Sequence, residues 1–478
     1  MKPALLALAV LALPACIFVV ERDLVASRPP SPTGDAQEPV ALARRGDGKP
    51  VCGLGKAFHA GRRAELMQRV GDELLVFRGL AGMRENLAFR QDKSFWYLTG
   101  VESPGAALVL DGKTRQQILF LPAQDLAKES WNGEIWDASD DWVEELTGFE
   151  DVRPAEELLP TLRKLLDGRK QIGTSLTPWT GLAGSYDAAI PFEQEQKNDP
   201  LDGRGSREEA LAQKLKEALG VEILDVGATL IAMRLVKTPE ELAAMRRAGR
   251  AGALAHAEAM RSTRPGLGEW ELDAVMSFVQ LREGAFGKAY EAIVGSGANA
   301  CVLHYTANDR RMQAGEVVLI DYGPEVDHYT TDITRSWPVD GTFSPRAVEL
   351  YDAVLAAQEA GIAAAKPGAT IVDVDRACSE VFKQKGLFEL RRHGACHWIG
   401  MEVHDPGSTR TPLVPGMTFT IEPGLYDRKA GIGIRIEDVV VITETGCEVL
   451  TGLAPKARAE VEATVKAEGI LDRLTSGE

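Results

Sequence analysis

The chain has 478 residues, more than one hydrophobic core usually serves, so two domains are the expectation. Seventy Asp and Glu against 54 Lys and Arg leave a formal charge of −16, which excludes the basic footprint that binding a nucleic-acid backbone demands. Ordinary apolar and charged fractions exclude both a wholly disordered chain and a polytopic membrane protein.

Residues 1–20 read as an address label. Lys2 gives a positive start, Ala4 to Ala15 is uncharged and rich in Leu and Ala, and Leu13-Pro14-Ala15-Cys16 resembles a bacterial lipobox. The expectation is export to the bacterial cell envelope or periplasm, with a lipid on Cys16 and membrane attachment through the N-terminus. Read continuously, Ala4 to Val20 is about the minimum bilayer-spanning length, so an uncleaved anchor is the alternative. Residues 21–54 follow as a linker, because Pro29, Pro30, Pro32, Pro39 and Pro50 with scarcely a large apolar side chain cannot build a core. Cys16, Cys52, Cys301, Cys378, Cys396 and Cys447 include no C-x-x-C, so a structural zinc ribbon is not expected and the thiols read as small buried hydrophobes.

Residues 55–230 read as an α/β domain. LLVF, ALVL and QILFLP are β-like runs, DDWVEELTG and AEELLPTLRKLLDG are helix-like, and Ser206 with Glu209 predicts a capping box for a helix that Gly220 stops. The Trp-rich FWYLTG and ESWNGEIW read as core or interface. Residues 231–470 form the second domain, opened by a capping box at Thr238 with Pro239 in the first helical position. It contains a long-period repeat: Gly266 to Gly284 matches Gly368 to Gly386, AGEVVLID matches PGMTFTIE, and His304 and His404 keep nearly the same offset. Two equivalent halves would converge Asp321 and Glu422 on one cleft.

The stretch from Arg391 to Glu437 places His393, His397, His404, Glu422, Arg435 and Glu437 among Gly, Ile, Val and Trp. Charges in such sequence are expensive to bury unless a metal or a partner neutralises them. Period-two alternation puts Arg435 and Glu437 on one strand face, and Asp332, Thr334 and Ser336 on another. Asp321, Asp332, Glu422 and Glu437 carry four negative charges, which two divalent cations would cancel. Carboxylate with imidazole suits manganese, zinc or cobalt better than calcium. His59, His256 and His328 read as ordinary exposed or core histidines. There is no G-x-S-x-G, and G-S-G-A-N at Ser296 is a poor phosphate loop.

These motifs resemble the pita-bread metallopeptidases, specifically the Xaa-Pro aminopeptidase (aminopeptidase P) family. The resemblance runs from about Ala57 to Leu450 through FRQDKSFWYLTG, IVGSGANACVLHYTAND, VVLIDYG, TTDITRSWPV, HGACHWIGMEVHD, TIEPGLY and GIGIRIED. It implies an α/β (α+β) fold, with a creatinase/aminopeptidase P-type N-terminal domain before a pseudo-two-fold pita-bread catalytic domain. It implies two divalent ions, manganese first among them: Asp321 on one, His397 and Glu422 on the other, and Asp332 and Glu437 bridging. By the same resemblance His304 and His404 line the substrate cleft, with His393 and Arg435 nearby. Trp131 matches a Trp that family members lend to a neighbouring subunit, which implies a dimer or tetramer. The segments between Gly386 and His393, between Tyr426 and Gly431, and after His404 look trimmed, which affects the leaving-group side of the cleft.

The activity so implied releases the N-terminal residue from peptides with proline second. A hydroxide between the ions attacks the first carbonyl, His304 or His404 stabilises the oxyanion, and Glu422 shuttles the proton. An Xaa-Pro dipeptidase shares these ligands and is the enzyme alternative. A binding protein that kept the fold and lost the chemistry is the non-enzyme one, and the complete ligand set counts against it.

Overall fold

The computed structural model describes residues 51–82, 87–182 and 184–476. The leader, Cys16 and most of the Pro-rich linker lie outside the described residues. Among those described, no helix is long and apolar enough to cross a membrane.

The first helix, α1 (Lys56–Val70), is followed by β1 (Leu74–Arg78), α2 (Lys93–Thr99), β2 (Ala107–Asp111), β3 (Gln117–Leu121), α3 (Leu126–Asn132), α4 (Trp142–Thr147), β4 (Val152–Pro154), α5 (Leu158–Leu165), β5 (Gln171–Thr174), α6 (Tyr186–Asn198), α7 (Arg207–Leu219), β6 (Glu222–Asp225) and α8 (Gly227–Leu235). The strands form one mixed sheet in the order β4-β3-β2-β1-β5-β6. Each β-like run of the sequence is a strand of it. The runs are apolar throughout because both faces are covered: Leu74, Val76, Val109 and Phe120 pack on Leu162 and Leu215, whereas Leu75, Phe77, Leu108 and Leu121 pack on Leu66 and Met67. FWYLTG is core, with Phe95, Trp96, Tyr97, Leu98 and Thr99 all buried on α2.

One predicted cap is only half formed. Ser206 Oγ accepts from the Glu209 N–H at 3.2 Å, but the Ser206 N–H donates to Glu193 at 2.9 Å, because Lys197 draws the Glu209 carboxylate away at 2.6 Å. Gly220, in the left-handed conformation, ends α7 as expected.

The catalytic half opens with α9 (Pro239–Ser262), whose capping box between Thr238 and Glu241 is complete. The repeat is real in three dimensions. Helices α10 (Glu269–Arg282) and α12 (Ile371–Gln384) each begin three residues after a glycine of positive φ, Gly266 at 92° and Gly368 at 84°. α10 packs on α9, and α12 packs on α11 (Pro345–Ala364). Strand Val317–Asp321 lies between Ile293–Ser296 and Thr334–Pro338, and its counterpart Thr418–Ile421 pairs with Asp438–Ile442. The helices bury Met260, Leu272, Val354 and Phe382 against Val318, Ile320, Phe419 and Ile421, which leaves the opposite strand faces to the polar site.

The two halves of the chain share apolar core. Trp96 and Leu98 belong to the same buried cluster as Tyr329, Ile399, Met401 and Val439. A buried ionic seam runs beside it, where Lys93 pairs with Glu402 at 3.2 Å and with Glu325 at 3.5 Å. His59 and His256 are fully buried, and His328 is buried with an ion pair to Glu102 and its ring against Trp96. All three therefore take the core form of the ordinary reading.

Candidate metal centre

Asp321 is the last residue of its strand and stands in register with Thr334 on one side and Ile293 on the other. Beyond it the chain reverses so tightly that a Cβ on Gly323 would lie 1.9 Å from the Thr331 carbonyl oxygen, and this approach brings Asp332 beside Asp321. On the other half, the loop through His397 runs along strand Thr418–Ile421. The His397 N–H donates to Thr420 Oγ1 at 3.1 Å, the Thr420 N–H returns to the His397 carbonyl at 2.9 Å, and the Glu422 N–H reaches the Ala395 carbonyl at 2.8 Å. The halves meet where the Glu437 N–H donates to the Thr334 carbonyl at 3.0 Å and Thr334 Oγ1 donates to Glu437 Oε2 at 2.6 Å. Arg435 ends one strand and Asp438 starts the next, so Ile436 and Glu437 form a break rather than a continuous strand. Both charged side chains still reach the site, because alternation survives a two-residue interruption. Asp332 likewise lies just ahead of its strand, which begins at Thr334.

Ligand atoms of Asp332, His397 and Glu437 all lie within 4.8 Å of one another. His397 Nε2 is 3.5 Å from Asp332, 3.6 Å from Glu422 and 3.9 Å from Glu437. Asp321 receives the Arg435 guanidinium, and the Tyr290 hydroxyl serves Asp321 at 2.6 Å and also touches Asp332. Burial and the Asp332 charge push Asp321 up to about 7, against the pull of Arg435. Burial and the charges of Asp332, Glu422 and Asp321 drive Glu437 well above the carboxylate range. Burial alone would raise Asp332, but the His397 hydrogen bond and charge hold it down at about 2. Burial would lower His397, and the Asp332 and Glu422 carboxylates more than reverse that, to about 9.

The residues fit divalent cations. Glu437 Oε1 is buried with no hydrogen-bond partner, a carboxyl oxygen that its own surroundings leave unsatisfied. The acids crowd until protons are needed to hold them together, and a cation does the same work while leaving every carboxylate ionised and His397 neutral.

The rest of the predicted site, Trp131 excepted, surrounds this cluster. His404 stacks on His397, ring centroids 4.1 Å apart at 35°, and its Nδ1 donates to Asp187 at 2.7 Å. The loop carrying it is pinned on both flanks, Glu402 by Lys93 and by Thr180 at 2.9 Å, and Asp405 by Arg234 and Lys237. His304 faces the same cleft, and its pKa is lowered by desolvation first and then by the Arg435 charge. His393 Nδ1 donates to the Gly394 carbonyl at 2.7 Å, and its Nε2 accepts from the Tyr426 hydroxyl at 2.7 Å. Arg435 is buried, donating to Asp321, to Tyr426 at 2.9 Å and to Thr334 at 2.9 Å. Trp131 sits apart on α3, 89% exposed.

Comparison with known proteins decides the family. The model for metallopeptidase family M24 matches residues 243–444, and that for the aminopeptidase P N-terminal domain matches residues 59–173. The Xaa-Pro aminopeptidase of Escherichia coli (strain K12) is 34% identical over 444 residues, covering 85% of this chain and 97% of the relative. This chain belongs to the Xaa-Pro aminopeptidase family. The solved structure of aminopeptidase P from E. coli with the inhibitor Pro-Leu superimposes with a TM-score of 0.72 at 31% identity, covering 86% of this chain and 98% of that one. An Xaa-Pro dipeptidase of Pyrococcus furiosus is 33% identical but over 265 residues, 54% of this chain and 76% of the relative. As a member of this family the chain is a hydrolase, a metal-dependent exopeptidase with the mixed helix-and-sheet fold of aminopeptidase P.

Sequence reasoning missed three polar residues of the site. Tyr290 and Tyr426 carry no charge to advertise them, although Tyr426 follows the acid in TIEPGLY. Asp187 lies 217 positions from His404 with no motif around it, so nothing local could have found it.

Proposed function

We propose that this chain releases the N-terminal residue from peptides with proline in second position, using two divalent cations, manganese first among them. The observation that carries the reading is the convergence of Asp332, His397 and Glu437 with Glu437 Oε1 left without a hydrogen bond, in a chain whose Xaa-Pro aminopeptidase relative is covered almost end to end. Asp321 would hold one ion, His397 and Glu422 the other, with Asp332 and Glu437 shared. Held there, divalent cations would supply Lewis-acid chemistry, bringing the pKa of water at the site toward neutrality and polarising the scissile carbonyl.

The chain's own residues do the remainder. Glu422, less buried than Glu437 and 3.6 Å from His397, would carry a proton toward the departing proline nitrogen. His404 and His304 face the cleft and would donate to the carbonyl oxygen as its charge develops. Arg435, Tyr426 and His393 form one hydrogen-bonded run from Asp321 and would line the substrate cleft. The match to the dipeptidase over 54% of the chain, against 85% for the aminopeptidase, supports aminopeptidase over dipeptidase activity.

The test offers metal-loaded protein Xaa-Pro dipeptides, Xaa-Pro-Yaa and Xaa-Ala-Yaa peptides, with products read by mass spectrometry. Burying the few ring carbons favours Pro over Ala by roughly 10–200-fold. Cleavage confined to dipeptides would establish the dipeptidase reading instead. Export with a lipid on Cys16 remains part of this proposal, checked by the mass of the N-terminal peptide from membranes. The exposure of Trp131 supports its service to a neighbouring subunit in a dimer or tetramer, which light scattering of wild type and Trp131→Ala would examine.

A further inference from the structure

We propose that Asp187 is a positioning residue for His404, so that the first turn of α6, in the N-terminal half of the chain, completes the catalytic cleft. The inference rests on the reading of His404 as the donor to the substrate carbonyl and adds what aims it.

His404 is clasped by consecutive residues. Its Nδ1–H donates to Asp187 Oδ2 at 2.7 Å, and its carbonyl accepts from the Tyr186 N–H at 3.4 Å. Asp187 is itself held, because Ser185 Oγ donates to Oδ1 at 2.6 Å. The charge-assisted bond to the ring is the stronger kind, and the Asp187 pKa is held well below the usual carboxylate range by the His404 hydrogen bond, despite partial burial. An imidazole hung from a single loop residue can flip or rotate about its side-chain bonds. A carboxylate on Nδ1 fixes ring plane and tautomer together, as second partners of functional histidines do. With Nδ1 so engaged and the ring stacked on His397, Nε2 is the ring nitrogen left to meet a substrate.

A merely structural role for Asp187 is disfavoured by its setting. Its side chain is 60% exposed, so it holds little core, and Ala189 is the only residue of α6 that is buried. Removing the carboxylate should leave the fold intact and the ring free.

The experiment compares wild type, Asp187→Ala, Asp187→Asn, His404→Ala and the Asp187→Ala/His404→Ala double variant on an Xaa-Pro-Yaa peptide. Asp187→Ala should lower kcat by about 10–100-fold, with KM within about threefold and an unchanged thermal midpoint. Asp187→Asn, which keeps an acceptor for Nδ1–H, should recover part of that loss. In the His404→Ala background the Asp187 change should cost almost nothing more. A second readout needs no turnover: in metal-free protein labelled with 15N-histidine, the His404 Nδ1–H signal, assigned by its loss in His404→Ala, should vanish in Asp187→Ala. An equal loss of kcat in both backgrounds would overturn the proposal, as would Asp187→Ala with wild-type kcat. If His404→Ala itself keeps full kcat, the reading of His404 falls, and the nitrogen spectrum still reports whether Asp187 holds the ring.

Discussion

Arg335 lies fully buried on strand Thr334–Pro338, and its guanidinium ties that strand to two other stretches of chain, Glu437–Asp438 and Ala454–Pro455. Nη2 pairs with Asp438 at 2.7 Å and reaches the Ala454 carbonyl at 3.1 Å, Nε reaches Pro455 at 3.0 Å, and Nη1 reaches Thr334 at 2.9 Å and the Glu437 carbonyl. Replacing it by Met removes one half of a buried ion pair, a class of change that costs about 3–5 kcal/mol. Asp438 keeps Lys456 at 2.8 Å, Gln358 at 2.6 Å and Thr451 at 2.7 Å, so the lower end, about 3 kcal/mol, is expected for the charge itself. The carbonyls of Glu437, Ala454 and Pro455 lose a donor at about 1 kcal/mol each, which brings the total to about 6 kcal/mol, whereas the Thr334 carbonyl keeps the Glu437 N–H. Arg335→Lys keeps the charge but cannot fan one ammonium over acceptors that Arg reaches from three nitrogens, so it should recover less than half of the loss. Guanidinium unfolding followed by tryptophan fluorescence measures both variants against wild type. Because Glu437 is anchored through its carbonyl, cation affinity should fall with stability. Arg335→Met within about 1 kcal/mol of wild type, or full recovery by Lys, would refute the reasoning.

Elemental analysis of fully active protein should find two divalent ions per chain, and saturation of activity at one equivalent would remove the shared roles of Asp332 and Glu437. His59 accepts from the Leu54 N–H at 3.1 Å and donates to the Tyr97 carbonyl at 3.0 Å, and burial first of all depresses its pKa from 6.5 to about 3. The folded state therefore refuses a proton that the unfolded chain accepts below 6.5, so stability should fall with pH from there toward 3 by about 1.4 kcal/mol per unit. The pH dependence of the urea midpoint should lose one proton's worth of slope between these limits in His59→Gln, and an unchanged slope would show that His59 does not carry it. A Cβ on Gly433 would lie 1.9 Å from the Ala300 carbonyl oxygen, so Gly433→Ala should push strand Ile432–Arg435 outward and misplace Arg435. A shift of about 1 Å next to reacting groups can cost about 10²-fold, read as kcat/KM on an Xaa-Pro-Yaa peptide with circular dichroism confirming the fold.

Much of this protein is legible in its residues because the signals are short-range. The capping box at Thr238, the positive-φ glycines Gly266 and Gly368 and the apolar runs of β1 to β3 each express backbone sterics or burial within a few residues. The acids Asp321 and Glu422 are readable for the same reason, since each closes an apolar strand and the repeat aligns them. Folding added the partners that chain reversal and packing between the two halves bring together. Glu193 takes the Ser206 N–H that the capping pattern assigns to Glu209, because Lys197 holds the Glu209 carboxylate and a neighbouring helix brings Glu193 within reach. His328 finds Glu102 across 226 positions, and Arg435 turns inward to Asp321, Tyr426 and Thr334. Asp187 reaches His404 where the two halves pack, through the apolar cluster that Trp96 and Leu98 share with Ile399 and Met401 and the bonds of Lys93 and Thr180 to Glu402. A carboxylate's partner in such a contact is chosen by where the chain returns, and no local pattern encodes a distance of two hundred residues.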